Sequence, residues 1–522
     1  MSEKGKFKPV MMFSNHMVLQ RGKKLPVWGS GPDGAEVSVT FLGRMYQATV
    51  ADGTWKIVMD EAPVCRGERM VIRCGEETME ITDVSVGEVW IAGGQSNMEF
   101  FMRYDAGLQE ELQREPCGDI RFFDYPEVSY EGQLAVNDYS NFGFWRTCDP
   151  ENLEYYSAVA YYFARKLAER CGVPIGILGC NWGGTTASTW MDPSYLQGTE
   201  GEVWLSDYQE GLKTLDLEKY EKQTADPSWS YTGKPFENKV NDKLFYGFTK
   251  RQMQFICKCK FIYRFMAKFW PANGPKSPYR PGGLYENMVK QVAPYAARGV
   301  IWYQGESDDV HADVYDTMLS RLIRCWRDTW QEELPFLIVQ IAPLGFFFNG
   351  EPWKYPLLRR QQEKVSKREE RVWLTTSGDA GLEWDVHPKN KRPIGERLAL
   401  LAAGHVYGEE ILCDPPRINR MEVSDGAVTL TFANVPGGIV CRNPAVPELT
   451  VRREGRQLAG YEIRFQGDQM ILSSDQVHAG DAVEVRYAQE PYYESSIYNR
   501  AGIPALPAGF REEDDSLKIA VS

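Results

Sequence analysis

Five histidines in 522 residues leave few candidates for any base, and positive charge is also short, with 59 Lys and Arg against 72 Asp and Glu. The net charge of −13 and a pI near 5.2 argue against nucleic acid or an anionic membrane as a partner. No run of about 18 apolar residues occurs, so no membrane-spanning helix is expected. The eleven cysteines are odd in number and scattered from Cys65 to Cys441, and Cys257 and Cys259 form only a C-x-C. With no paired C-x-x-C sets, neither a zinc site nor any other cofactor is expected. Unpaired thiols, together with a start at Met1–Lys8 that has no apolar stretch after its charges, set the expectation of a reduced, cytoplasmic protein. No repeat with a period of 20–50 residues is visible.

What is present describes a soluble globular chain, 43% hydrophobic and 25% charged, and too long for one ordinary core. Fifteen Trp and 27 Tyr suit carbohydrate handling and large cores equally. Residues 1–85 read as an N-terminal β region. Leu25–Ser30 is a short strand, Gly31-Pro32-Asp33-Gly34 a turn, Val37–Phe41 an alternating strand, and Asp52-Gly53 a hairpin turn into Trp55–Met59. Residues 86–410 change to strand–helix alternation. Five buried strands are predicted at Gly87–Ala92, Ile175–Gly179, Val300–Tyr303, Leu337–Ile341 and Val372–Thr376, with helices over Tyr155–Arg170 and Ala312–Trp330. Continuous apolar strands separated by helices imply an α/β domain with a parallel sheet covered on both faces. Residues 200–280 interrupt that rhythm as a helical insertion. Its basic, aromatic stretch Arg251–Trp270 reads as packed structure with solvated charges rather than a grip on RNA or membrane. After about 411 the alternation of Ala427–Phe432 and Ala482–Tyr487 marks a C-terminal β region.

The chemistry centres on Val86-Gly87-Glu88-Val89-Trp90-Ile91-Ala92-Gly93-Gly94-Gln95-Ser96. A buried strand turns sharply at Gly93-Gly94, and Ser96 opens the next element. A helix N-terminus there would set backbone N–H groups and a positive dipole end beside a nucleophilic hydroxyl. The spacing is not the nucleophile elbow with glycines two residues either side of the serine.

A serine nucleophile needs a base, most often histidine. His16 and His478 lie in the flanking β regions, and His405 lies in a helix predicted at Arg397–Tyr407. His311 opens the helix after Glu306. His387 lies in Gly378–Pro388, the loop after the last predicted strand, where catalytic groups are commonly carried. Asp385 stands two residues before it, so in an extended segment the two side chains project to one side and the carboxylate could orient the imidazole. Ser96, Gly183-Gly184, Gln304/Glu306 and Asp379–His387 all follow predicted strand ends, the edge at which open α/β sheets bind ligands.

Four motifs in order, Gly93-Gly94-Gln95-Ser96-Asn97-Met98, Trp182-Gly183-Gly184-Thr185, Trp302-Tyr303-Gln304-Gly305-Glu306-Ser307 and Asp385-Val386-His387-Pro388, resemble the sialate O-acetylesterase family of the SGNH hydrolases, itself similar to carbohydrate acetylesterases acting on xylan. Met17–Gln20, Leu25–Gly29 and Tyr498–Pro504 extend the resemblance over nearly the whole chain. It implies an SGNH-type three-layer αβα domain with a parallel sheet, flanked by N- and C-terminal β-sandwich-like regions. It also implies a metal-independent serine esterase that deacetylates a sialic acid or an acetylated oligosaccharide. By the resemblance Ser96 is the nucleophile and His387 the base, while the N–H groups of Ser96 and of Gly184 (or its neighbour Gly183) and the Gln304 side chain form the oxyanion hole. Gln304 departs from the Asn that many SGNH enzymes carry. The usual acid position, three residues before the histidine, holds Trp384, which leaves Asp385 (favoured) and Glu306 as candidates. The implied partner is an acetylated carbohydrate, and homo-oligomerisation is left open. A glycosidase built on paired carboxylates and a non-catalytic carbohydrate-binding protein are the rival expectations.

Overall fold

A switch of burial along a single strand organises the N-terminal half. Glu77–Gly94 alternates in burial over its first residues and is buried throughout from Val84 onward. Its first part pairs antiparallel with Cys65–Cys74, and its last part lies between parallel neighbours. The computed structural model describes residues 5–225, 247–259, 272–346 and 354–511. The chain divides into two compact units, Met1–Gly247 with Trp270–Gln304 and Thr317–Phe336, and Phe248–Phe269 with Gly305–Asp316 and Leu337–Ser522.

In the first unit the strand order is Trp145–Thr147, Ile120–Asp124, Ile175–Asn181, Glu77–Gly94, Gly299–Tyr303. All pairs are parallel except the first. Ile120–Asp124 and Trp145–Thr147 escape the sequence pattern because both are short and Arg121 and Arg146 interrupt their apolar residues. The predicted strand Gly87–Ala92 lies in the C-terminal half of a strand three times as long, and residue 85 falls inside it. Helix Ala158–Cys171 starts three residues later than periodicity suggests, because Ser157 caps it by accepting from the Ala160 N–H at 3.2 Å. Gly172, left-handed at φ +61°, ends it.

The N-terminal strands form a separate three-stranded sheet and an extension of the sheet that holds the long strand. Leu25–Ser30 pairs with Lys8–Pro9 and Thr54–Met59, while Glu36–Phe41 joins Arg44–Thr49 to Cys65–Cys74. Within the region read as an insertion, helices Val203–Lys213, Leu217–Thr224 and Lys250–Lys258 are described, and the rest of the basic stripe from residue 260 lies outside the described residues.

The second unit carries all but the first residue of strand Phe336–Gln340, and strand Val372–Thr376, joined through helix Tyr355–Arg368. The helix expected over Ala312–Trp330 begins earlier, as a 3₁₀ segment Glu306–Val314 that passes into an α-helix at Tyr315. The C-terminal region forms two antiparallel four-stranded sheets. Val428, Leu430, Met470 and Leu472 of one sheet and Leu449, Val451, Val483 and Val485 of the other share one buried core, the packing of a β-sandwich. All eleven cysteines are free thiols, and no helix among the described residues is long and apolar enough to cross a membrane.

Candidate active site

Gly94 ends the long strand at φ +137°, and a Cβ there would lie 2.2 Å from the Tyr303 carbonyl oxygen. Only glycine fits a backbone that is both left-handed and pressed against its neighbour. Gln95 follows, its N–H donating to Tyr303 O at 3.1 Å. A single helical turn, Ser96–Glu99, then begins, with the Met98 and Glu99 N–H groups donating to Gln95 O. Ser96 is therefore the first residue of a helix, where N–H groups have no acceptor within the helix and the dipole is positive. Ser157 Oγ holds the turn from behind by donating to Met98 O at 2.5 Å.

Strand register sets what surrounds this serine. Gly94 stands abreast of Asn181 on one side and Tyr303 on the other. Ser96 is two residues past that line, Gly184 three and Gln304 one, so one carboxyl edge of the sheet carries all three. Gly184 is exposed and left-handed at φ +75°. The loop is fixed by Thr185, whose Oγ1 donates to Trp182 O at 2.7 Å and accepts from Trp190 Nε1 at 2.9 Å. Gln304, with 0% of its surface exposed, donates from Nε2 to Thr185 O at 3.2 Å.

Glu306, Asp385 and His387 belong to the second unit and are all buried. Glu306 follows Gly305, whose φ of +153° turns the chain into the 3₁₀ segment. The loop after strand Val372–Thr376 is tied down along its length. Arg397 grips Asp379 through two 2.7 Å bonds, Phe346 stacks on Trp384 at 4.3 Å, and Lys258 lies 5.0 Å from the centre of the same indole. Asp385 Oδ1 accepts the His387 backbone N–H at 2.9 Å, an Asx turn, while Oδ2 meets Lys389 Nζ at 3.0 Å. The imidazole Nδ1 stands 3.9 Å from Asp385 Oδ1, beyond hydrogen-bond length. Burial pushes the Asp385 carboxyl above its ordinary range, against the pull of Lys389, the His387 N–H and Lys391.

Of the other histidines, His16 Nδ1 lies 2.7 Å from Asp83, His405 meets Asp414, and His311 sits at a kink inside Glu306–Val314. Three groups near the serine were not singled out by sequence. Glu99 closes its helical turn. Asp124 ends the unrecognised strand, and burial plus the nearby Glu99 charge drives its carboxyl well above the usual range. Tyr279 faces Gly184 across van der Waals distance, its phenol pushed up to about 12 mainly by burial. No residue spacing signals any of the three, because Asp124 and Tyr279 come from distant segments.

Residues 267–402, which hold Gln304, Glu306, Asp385 and His387, match the family model of the sialic acid-specific acetylesterases, a carbohydrate esterase family. The chain is 24% identical over 467 residues to the sialate O-acetylesterase of Mus musculus, covering 82% of this chain and 79% of that one. To the Homo sapiens sialate O-acetylesterase it is 24% identical over 470 residues, covering 82% and 76%. A crystal structure of a carbohydrate acetylesterase from Xanthomonas citri superposes with a TM-score of 0.73 and 25% identity, over 96% of this chain and 99% of that one. By these matches the chain is similar to the sialate O-acetylesterases over most of its length and is a carboxylic ester hydrolase.

Proposed function

We propose that the protein is a serine esterase that removes O-acetyl groups from a sialic acid or an acetylated oligosaccharide, xylan or mannan fragments included. The observation that carries this is the placing of Ser96 at a helix start, on the same sheet edge as Gly184 and Gln304. Ser96 attacks the acetyl carbonyl and His387 accepts its proton. The oxyanion rests on the N–H groups of Ser96 and Gly184 and on the Gln304 carboxamide. His387 protonates the departing sugar hydroxyl, and water then hydrolyses the acetyl-enzyme by the same route. Asp385 or Glu306 serves as the acid that orients the imidazole. No step calls for a metal. The same proposal extends to an SGNH-type three-layer domain over residues 86–410, between β regions at 1–85 and 411–522. Eleven free thiols support a reducing, cytoplasmic setting.

Ser96→Ala is expected to lower kcat on p-nitrophenyl acetate by about 10⁴–10⁶ with the fold intact. Activity within tenfold of the parent would overturn the assignment. A screen of acetylated glycans for acetate release, with glycosidic bonds left whole, identifies the sugar and separates this chemistry from that of a glycosidase.

A further inference from the structure

The link between the α/β part of the second unit and its β-sandwich contains a donor set that the esterase chemistry does not use. Helix Arg392–Leu401 passes into a π-helical turn, Ala402–Val406, which carries His405. Single π-turns within helices frequently mark functional sites. The chain then returns as a loop, and Cys413 and Asp414 come back against that turn just before strand Arg417–Ser424. His405 Nε2 lies 3.0 and 3.1 Å from the two Asp414 oxygens, and Cys413 Sγ lies 4.0 Å from Asp414 Oδ2. One ligand atom from each of the three residues falls within 4.8 Å of the others.

We propose that His405, Cys413 and Asp414 form a binding site for a single zinc ion. Tetrahedral zinc with bonds of about 2.0–2.3 Å to N, O and S needs ligand atoms about 3.3–3.8 Å apart; the His405–Asp414 separation of 3.0 Å and the Cys413–Asp414 separation of 4.0 Å lie either side of that span, and all three ligand atoms are within 4.8 Å of one another. The donors suit a borderline cation, one thiolate, one imidazole and one carboxylate. Two further features fix the donors in place. The His405 ring stacks on Trp373 at 4.7 Å, nearly parallel, which sets the plane of the imidazole. The Cys413 thiol presses on the helix so closely that a Cβ on Gly404 would stand 2.5 Å from Sγ. A glycine inside a helix is unfavourable relative to alanine, and here it makes room for the sulfur. The site opens on a cavity of roughly 490 Å³ also lined by Glu409 and Glu410, so either carboxylate or a water can take the fourth position. On binding, the Cys413 S–H proton and the proton that His405 Nε2 shares with Asp414 leave that site, the displaced protons going to solvent as the S–Zn and N–Zn bonds form, with no change of oxidation state. The ion would clamp the end of the helix to the start of the sandwich. The pattern H-x₇-C-D has no second cysteine, which is why no zinc motif stands out in the sequence.

The test uses the full chain, stripped with chelator and dialysed against Zn²⁺, with bound metal measured by atomic absorption. One equivalent is expected, with a rise in melting temperature on zinc addition. Cys413→Ser and His405→Gln should weaken binding by roughly 100-fold and abolish that rise. Each variant is first melted without metal, so that a folding defect is not mistaken for lost affinity. Co²⁺ in place of zinc should give a thiolate-to-metal absorption band in the parent that is absent in Cys413→Ser. Hydrolysis of p-nitrophenyl acetate should be unchanged by chelator and by Cys413→Ser. Failure of the parent to hold zinc, or undiminished binding in both variants, would overturn the site, the second outcome assigning the metal to other thiols. A His405–Asp414 ion pair without metal is what the first outcome would leave.

Discussion

The Gln304 carboxamide donates to the Thr185 carbonyl at 3.2 Å, binding the end of strand Gly299–Tyr303 to the loop that carries Gly184. Two of the three proposed oxyanion donors are thus held in register by one buried bond. A donor fixed before the reaction needs no reorganisation when charge appears, the condition under which such groups contribute most.

Gln304→Ala should accordingly lower kcat by about 10²–10³ with little change in KM, since its target charge exists only in the transition state. Gln304→Glu should lose more, because an acceptor would then face both the Thr185 carbonyl and the oxyanion. Steady-state kinetics on p-nitrophenyl acetate checks both. A pure KM effect would make Gln304 a substrate-binding residue.

Gly94 is expected to tolerate no side chain. In Gly94→Ala the new methyl group would sit 2.2 Å from Tyr303 O, on a backbone at φ +137°. A cost of about 3 kcal/mol or more is expected, since neither strand can move without breaking the parallel pairing. The melting temperature should fall and activity should drop with it. Gly34, at φ +79° with open space around it, is the control, and Gly34→Ala should cost less.

Acid stability should depend on Glu88. This carboxylate lies in the buried part of the long strand. Burial alone would raise its pKa, but Arg298 at 2.7 Å, Arg21 and Gln20 together hold it below the ordinary carboxylate range. The unfolded chain therefore takes up the proton first as pH falls. The stabilisation is complete above the ordinary glutamate range and is lost as the pH drops through the depressed folded value. Urea melts between about pH 3 and 7 should show this loss, with a smaller slope in Glu88→Gln. That variant leaves two partly exposed guanidiniums without their counter-charge and should cost about 1–3 kcal/mol at neutral pH.

Much of the fold is written in local patterns, and the exceptions have physical causes. Strands Leu25–Ser30 and Val372–Thr376 keep the bounds that their sequences suggest, being short apolar or alternating runs between turn residues. Gly87 reads as a strand boundary but lies inside one. A Cβ there would stand 1.9 Å from Pro174 O, so this glycine serves close approach rather than a turn. Gly94 does mark a turn, which is why Ser96 stands out in the chain itself. The environment of Asp385 is not legible in the same way. A D-x-H tripeptide fits both an Asx turn and a carboxylate–imidazole pair, and only the three-dimensional path of Val386 separates them.

That ambiguity decides the last prediction. Asp385 has its Oδ1 on the His387 main-chain N–H and its Oδ2 near Lys389, with the ring 3.9 Å away. In this geometry it shapes the loop that presents His387, whereas a triad acid must bond the ring itself. Hydrogen bonds of unliganded sites can tighten when substrate binds, and the ring needs to close by about 1 Å to reach bonding distance. Glu306, buried at the start of its 3₁₀ segment, is the competing acid. If Asp385 is the acid, Asp385→Asn should lose roughly 10⁴ in kcat and Glu306→Gln much less. The asparagine can still accept the His387 N–H, so a loss confined to kcat, with melting temperature kept, reports on the ring. If Glu306 is the acid, the losses exchange, and Asp385→Ala should instead lower stability by about 1 kcal/mol through the broken Asx turn. The double variant completes the cycle. Partners of one imidazole should be strongly non-additive, with the double no slower than the worse single, while additive losses would mean that only one of them acts through His387.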